Sequence, residues 1–159
     1  MKKCFVFILA MLLLFPSCNR TTAIEQTLSE AVFRIQNAIA DDKDFVLADE
    51  DFTADHIGAP AYLEESAVCF GAEGKSREFG VFRITDRSKA NEFKESLRTY
   101  LNNEKEALSS LAELYPAEEL QERLSLYENA TVGSEGMLVY YFVLDKKETD
   151  KALQALTGR

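Results

Sequence analysis

Few residues of this chain carry reactive chemistry, and their spacing limits what that chemistry can be. His56 is the single histidine among 159 residues, so a nucleophile–base–acid arrangement has one base to draw on. Asp55 stands beside it, but neither a G-x-S-x-G elbow nor a cysteine signature accompanies the pair. A lone histidine in an acidic stretch reads as a surface or capping residue. Cys69, between Val68 and Phe70, reads as a small buried hydrophobe, because a reactive thiol needs an electropositive, exposed setting. No catalytic residue and no cofactor follow from these types and spacings.

Metal chemistry is similarly constrained. A closed zinc site takes four nitrogen or sulfur ligands, more than one histidine and one spare cysteine supply. Calcium fits better: Asp49, Asp51, Thr53 and Asp55 offer oxygens at alternate positions, like the start of an EF-hand loop. The pattern then breaks, with Ala54 at the sharp-turn glycine and Pro60 at the bidentate glutamate. An irregular calcium site would add Asp41, Asp42 or Asp44; the plain alternative is a solvated charged loop. Paired carboxylates for glycoside chemistry are defined by a spatial separation that a chain with 27 acids does not reveal, and the absence of Trp leaves little for sugar stacking. Glu104 interrupts an apolar stripe between Leu101 and Leu108. Either helix drift exposes it, or it is a buried carboxylate paired with Arg83 or Arg98.

The first residues speak to address. Lys2 and Lys3 precede an apolar run from Cys4 to Phe15, and polarity returns at Asn19, the three-part pattern of a secretory signal. The run is shorter than the roughly 20 residues a bilayer-spanning helix needs. Ser17 followed by Cys18 resembles a bacterial lipobox, with Phe15 and Pro16 in place of its usual leucine and small residue. The expectation is a leader over 1–17, a lipid on Cys18 and a tether over 18–22. Loss of Lys2 and Lys3 would make the formal charge of −9 still more negative, which disfavours nucleic acid and anionic headgroups. Membrane attachment would then come from the lipid. With Cys4 removed and Cys18 acylated, Cys69 is left without a disulfide partner.

Residues 23–159 read as one α+β domain. Ile24, Leu28, Ala31, Ile35 and Ala38 mark an amphipathic helix over Ala23 to Ile39, with Thr22 as its cap. An acidic loop follows over about 40–65, with Thr53 capping one helical turn that ends before Pro60. Ala67 to Gly71 and Phe79 to Ile84 are predicted strands. Asp86 or Ser88 caps a long helix to about Leu114, and Pro116 opens a second with Leu120, Leu124 and Tyr127 on its buried face. A hairpin pairs Ala130 to Val132 with Met137 to Leu144 through the turn Gly133 to Gly136, and Asp145 with Glu148 begins a last helix, Lys146 to Leu156. The two hairpins predict a four-stranded antiparallel sheet with helices on one face. Met137 to Leu144, apolar on both faces, is expected at its centre, covered by the long helix on one side and by the N-terminal helix or a partner on the other.

Tyr115 to Leu144 opens on a Tyr-Pro step that follows a long helix, and continues through an acidic turn of helix, Asn129 with Ala130, and Gly136 before an apolar strand. This order resembles a family of small Gram-positive lipoproteins catalogued as a domain of unknown function, over about Ser66 to Leu156. The resemblance implies a fold and an address and brings no catalytic residues. The expected function is a non-catalytic, lipid-anchored extracytoplasmic module that binds an envelope protein or another copy of itself. The alternative is a lipoprotein that binds a cation or small solute through Asp41 to Asp55.

Overall fold

The computed structural model describes residues 27–39, 45–72 and 76–158. The leader, Cys18 and the tether lie outside them, as do Asp41, Asp42 and Asp44. Among the described residues are five α-helices and a five-stranded antiparallel sheet. No described helix is long and apolar enough to cross a membrane.

Helix α1 (Leu28–Ile39) is capped by Thr27 rather than by Thr22. The Thr27 hydroxyl accepts the Glu30 N–H at 3.3 Å, and the Glu30 carboxylate accepts the Thr27 N–H at 3.2 Å. This reciprocal pair satisfies two of the free donors of the first turn.

The strands are β1 (Phe45–Leu47), β2 (Leu63–Gly71), β3 (Glu78–Ile84), β4 (Thr131–Glu135) and β5 (Leu138–Val143), in the order β1-β2-β3-β5-β4. The expected four strands are thus five. The extra one comes from the acidic segment, where Phe45, Val46 and Leu47 pair with Gly71, Phe70 and Cys69. Three residues are too few to display a period, and pairing comes from the Phe45 ring packing edge-on to Phe79 at 5.2 Å. The centre belongs to β3, while β5 lies between β3 and β4.

Alternation along β3 and β5 sends apolar side chains to both faces, so both must be covered. Helices accordingly pack on two faces, correcting the one-face expectation. Phe79, Val81, Tyr140 and Phe142 meet α1 and α5 (Lys146–Thr157). Phe82, Ile84, Val139 and Tyr141 meet α3 (Ala90–Leu114), with Tyr127 of α4 (Glu118–Glu128) and Phe52 of α2 (Phe52–His56) completing that layer.

Local signals set most boundaries. Asp86 accepts the Ser88 N–H at 2.8 Å and caps the 3-10 turn that leads into α3. Pro116 follows the end of α3 and precedes Ala117, the cap of α4, so it stands outside the first turn. Asp51, with its side chain unbonded, takes the cap position of α2, and Thr53 lies inside that helix. In the second hairpin Glu135 pairs with Leu138, so the turn is Gly136 and Met137 alone. Gly136 holds φ at 62°, a region closed to most side chains, while Gly133 and Ser134 belong to β4. At α5, Asp145 accepts the Glu148 N–H at 2.7 Å, but the Glu148 carboxylate turns away from the expected box to Arg77, at 2.5 Å. A partly buried cation outcompetes an exposed backbone amide.

Two glycines separate two physical demands. A Cβ on Gly80 would collide with the buried rings of Tyr141 and Phe82, whereas one on Gly136 meets open space. Gly80→Ala is expected to cost about 3 kcal/mol through overpacking, and Gly136→Ala about 1 kcal/mol through backbone conformation. Chemical denaturation of both variants checks the order.

Candidate functional site

The most distinctive polar feature is a carboxylate inside the apolar layer. Glu78 opens β3, and alternation turns it to the same face as Gly80 and Phe82, leaving it 2% exposed. A carboxyl buried without partners would destabilise the fold by several kcal/mol. Three tyrosines from three elements supply partners. Tyr100 of α3 donates to Oε1 at 2.8 Å, Tyr127 of α4 donates to Oε2 at 2.5 Å, and Tyr141 of β5 donates to Oε1. Gly80, directly opposite Tyr141 in the ladder, leaves room for that ring to cross β3.

Burial is the strongest influence on Glu78 and pushes its carboxyl above the ordinary 4.5; the three phenol donors pull it back in part, and the charge of Glu104 adds to the rise. Burial, then the Glu78 charge, pushes the phenols of Tyr100, Tyr127 and Tyr141 upward, so they remain O–H donors at every ordinary pH. The cluster therefore acts as a clamp that joins four elements through one group.

The candidates read from sequence lie elsewhere. Asp49, Asp51 and Asp55 are exposed, and no group of three or more metal-ligating side chains converges among the described residues. The segment that would have to wrap an ion instead forms α2, with Asp51 at its cap, Asp55 inside it and Asp49 before it. His56 is exposed at the end of α2 with its ring stacked on Phe52, centroids 4.5 Å apart. Cys69 is fully buried, its thiol pushed up to about 12 by burial, with the Gln36 amide 3.9 Å from sulfur. Glu104 does not pair with Arg83 or Arg98: Arg83 holds Glu65 at 3.1 Å and Arg98 holds Glu95. It is half-buried beside the clamp, and Glu78 is the buried carboxylate.

Glu78 precedes the run FGVFRI, where it passes for loop material. A signal existed in its partners. Tyr100, Tyr127 and Tyr141 all occupy apolar-face positions, and a buried phenol needs an acceptor.

The clamp also aims an arm. Helix α3 runs from Phe93, packed on Phe82, to Tyr100, bonded to Glu78, and then continues to Leu114 past the Glu78 end of β3. That continuation is about 20 Å long at 1.5 Å per residue. Helix α4 returns along it to bring Tyr127 back to Glu78. Near the tip, Leu111, Leu114 and Tyr115 are exposed, the last two at 73% and 67%. Thr27 sits toward the opposite end of the sheet, sharing a groove with Glu65 and Ser66, whose β3 partners are Arg83 and Phe82.

No family model, curated protein or solved structure matches the chain.

Because burial raises the Glu78 carboxyl, the folded state holds its proton more tightly than the unfolded state does. Its contribution to stability is therefore full below about 4.5 and is lost as pH rises through the folded value. Glu78→Gln, which keeps an acceptor and removes the ionisation, is expected to flatten the decline in melting temperature from acid to neutral pH. Melting curves of both proteins across that range measure it. Glu78→Ala leaves three buried phenols without their acceptor and is expected to cost about 3 kcal/mol or more.

Proposed function

We propose that this chain is a lipid-anchored, extracytoplasmic, non-catalytic module that presents the α3–α4 arm to a protein partner at the cell envelope. The observation that carries the proposal is the exposed set Leu111, Leu114 and Tyr115 near the arm tip, at the end of the fold opposite Thr27. Exposed large apolar side chains gathered at one point mark interaction surfaces more often than scattered ones do. A tether running from a lipid on Cys18 to Thr27 reaches at most about 30 Å when extended. An anchor on that side leaves the arm pointing away from the membrane. The lipobox-like Ser17–Cys18 pair and the resemblance of Tyr115 to Leu144 to small Gram-positive lipoproteins support the same address. Glu113, Glu118 and Glu119 border the tip and are exposed, which favours a partner with an apolar pocket rimmed by basic groups.

A second reading, a lipoprotein that binds a small solute, draws support from a groove of about 640 Å³ between α1 and the β1–β2 edge. Leu28, Val32, Leu47 and Ala67 line it, and the size lies within the range of ligand pockets.

The first reading is tested with a photoreactive phenylalanine at Tyr115 in intact cells of the native host. The expected outcome is one recurring envelope protein joined at that position, lost in Leu111→Ser/Leu114→Ser, with a diacylglyceryl group on the Cys18 peptide by mass spectrometry. An unlipidated Cys18 together with no adduct at Tyr115 overturns it. The second reading expects the melting temperature to rise with a member of a panel of small apolar solutes, an effect removed by Ala67→Trp within the groove.

A further inference from the structure

Strand β2 outruns the strand beside it. β1 pairs only with its last part, Cys69 to Gly71, and a final bond runs from the Ala48 N–H to the Val68 carbonyl at 2.8 Å. Beyond Ala48 the chain leaves the sheet for α2, where Phe52 packs on Phe70 and Tyr100 on the α3 side. Glu64, Glu65 and Ser66 are left exposed, and no described strand lies against them on that side. Backbone groups alternate sides along a strand, so Ser66, two places before Val68, turns its N–H and C=O to the open edge. From Glu64 to Ala67 this edge measures about 13 Å at roughly 3.3 Å per residue. A shift of register against β3 between Leu63 and Glu65 bounds it.

An unpaired edge is a template for another extended backbone. A strand laid there would continue the line of β1, and every second side chain would point to the α1 side. That side is open. The groove of about 640 Å³ runs along it, lined by Leu28, Val32 and Phe33 of α1 and by Leu47, Glu65 and Ala67 of the sheet. Phe33 and Leu47 are 65% and 61% exposed at its rim. Backbone groups seeking a ladder and an apolar trough thus meet at one place, and an extended peptide satisfies both, whereas an apolar solute satisfies only the second. The rim is acidic. Glu64 is exposed, and the half-exposed Glu65 gives one carboxylate oxygen to Arg83 and keeps the other. Both favour lysine or arginine in the guest. A second copy of the chain would set Glu64 and Glu65 against their own counterparts, and like charges across a strand pair are destabilising.

We propose that the open edge of β2 takes an extended segment of a partner protein as an added strand, with apolar side chains at alternate positions entering the groove and a basic residue meeting Glu64 and Glu65. This names an occupant for the groove and rests on the groove being a binding site. It does not depend on what the arm binds.

The test selects a displayed library of random heptapeptides on the full-length protein in lipid nanodiscs, with Ala67→Trp, which fills the groove, as counter-selection. Peptides that alternate apolar residues beside a lysine or arginine are expected. Calorimetry of the strongest of them compares N-methylation of alternate amides on its two edges. On one edge it is expected to weaken binding about tenfold or more, by removing a donor that β2 accepts, and on the other to leave binding unchanged. Ser66→Pro, allowed on a strand edge whose N–H faces solvent, is expected to produce the same loss from the protein side and to leave the response of the groove to small solutes intact. If Ser66→Pro fails to fold, the two methylated peptides decide. Absence of enriched peptides, or binding indifferent to the edge methylated, overturns the proposal. A solute-induced rise in melting temperature then keeps the groove as a solute site, and its absence removes both. A dimer that Ser66→Pro abolishes assigns the edge to a second copy and also overturns the proposal.

Discussion

The fold turns on one buried carboxyl group. Glu78 sits at the first position of the central strand, where an apolar side chain would have packed without conditions. Its presence imposes a condition instead: hydrogen-bond donors must arrive at both oxygens, or the fold carries an unsatisfied polar group in a medium of low dielectric. Tyr100, Tyr127 and Tyr141 meet that condition from α3, α4 and β5. Hydrophobic burial alone would bring those elements onto the sheet in many nearby arrangements, because it is not directional. Three converging phenols accept few. Gly80 belongs to the same device, since any side chain there would displace the Tyr141 ring.

Coverage of the sheet on both faces follows from composition, and the polarity of the molecule follows from the clamp. Strands β3 and β5 are apolar on both faces, so α1 with α5 and α3 with α4 become obligatory layers. The clamp then fixes where along the sheet the α3–α4 pair is held, and the length of α3 beyond Tyr100 becomes an arm. Thr27 and the arm tip end up at opposite ends of the sheet. The Arg77–Glu148 pair plays a smaller part on the other layer, tying the start of β3 to α5.

Much of the secondary structure was legible residue by residue. The stripe Ala90, Phe93, Leu97, Leu101 and Leu108 marks α3, Pro116 marks the break, and Asp86 and Asp145 mark helix starts. These signals work because periodicity and capping are local. Where local signals competed, the structure departed from them. Thr22 and Thr27 both have a Glu three places on, so the local pattern does not choose between them, and it is Thr27 that caps α1. Glu148 looks like the second half of a capping box until Arg77 comes near it. Gly133 looks like turn material, yet it is a strand residue whose missing side chain makes space for the Tyr140 ring.

By itself, the sequence determined the α+β class, the long helix, the second hairpin and the burial of Cys69, because each rests on neighbours within a few residues or on simple apolar excess. Only the tertiary structure decided that Phe45 to Leu47 form a fifth strand, that helices cover both faces, and that Glu78 rather than Glu104 is the buried carboxylate. The physical reason is the same in each case. Pairing and burial depend on groups brought together from distant parts of the chain: Tyr100, Tyr127 and Tyr141 lie 22, 49 and 63 positions from the carboxylate they share.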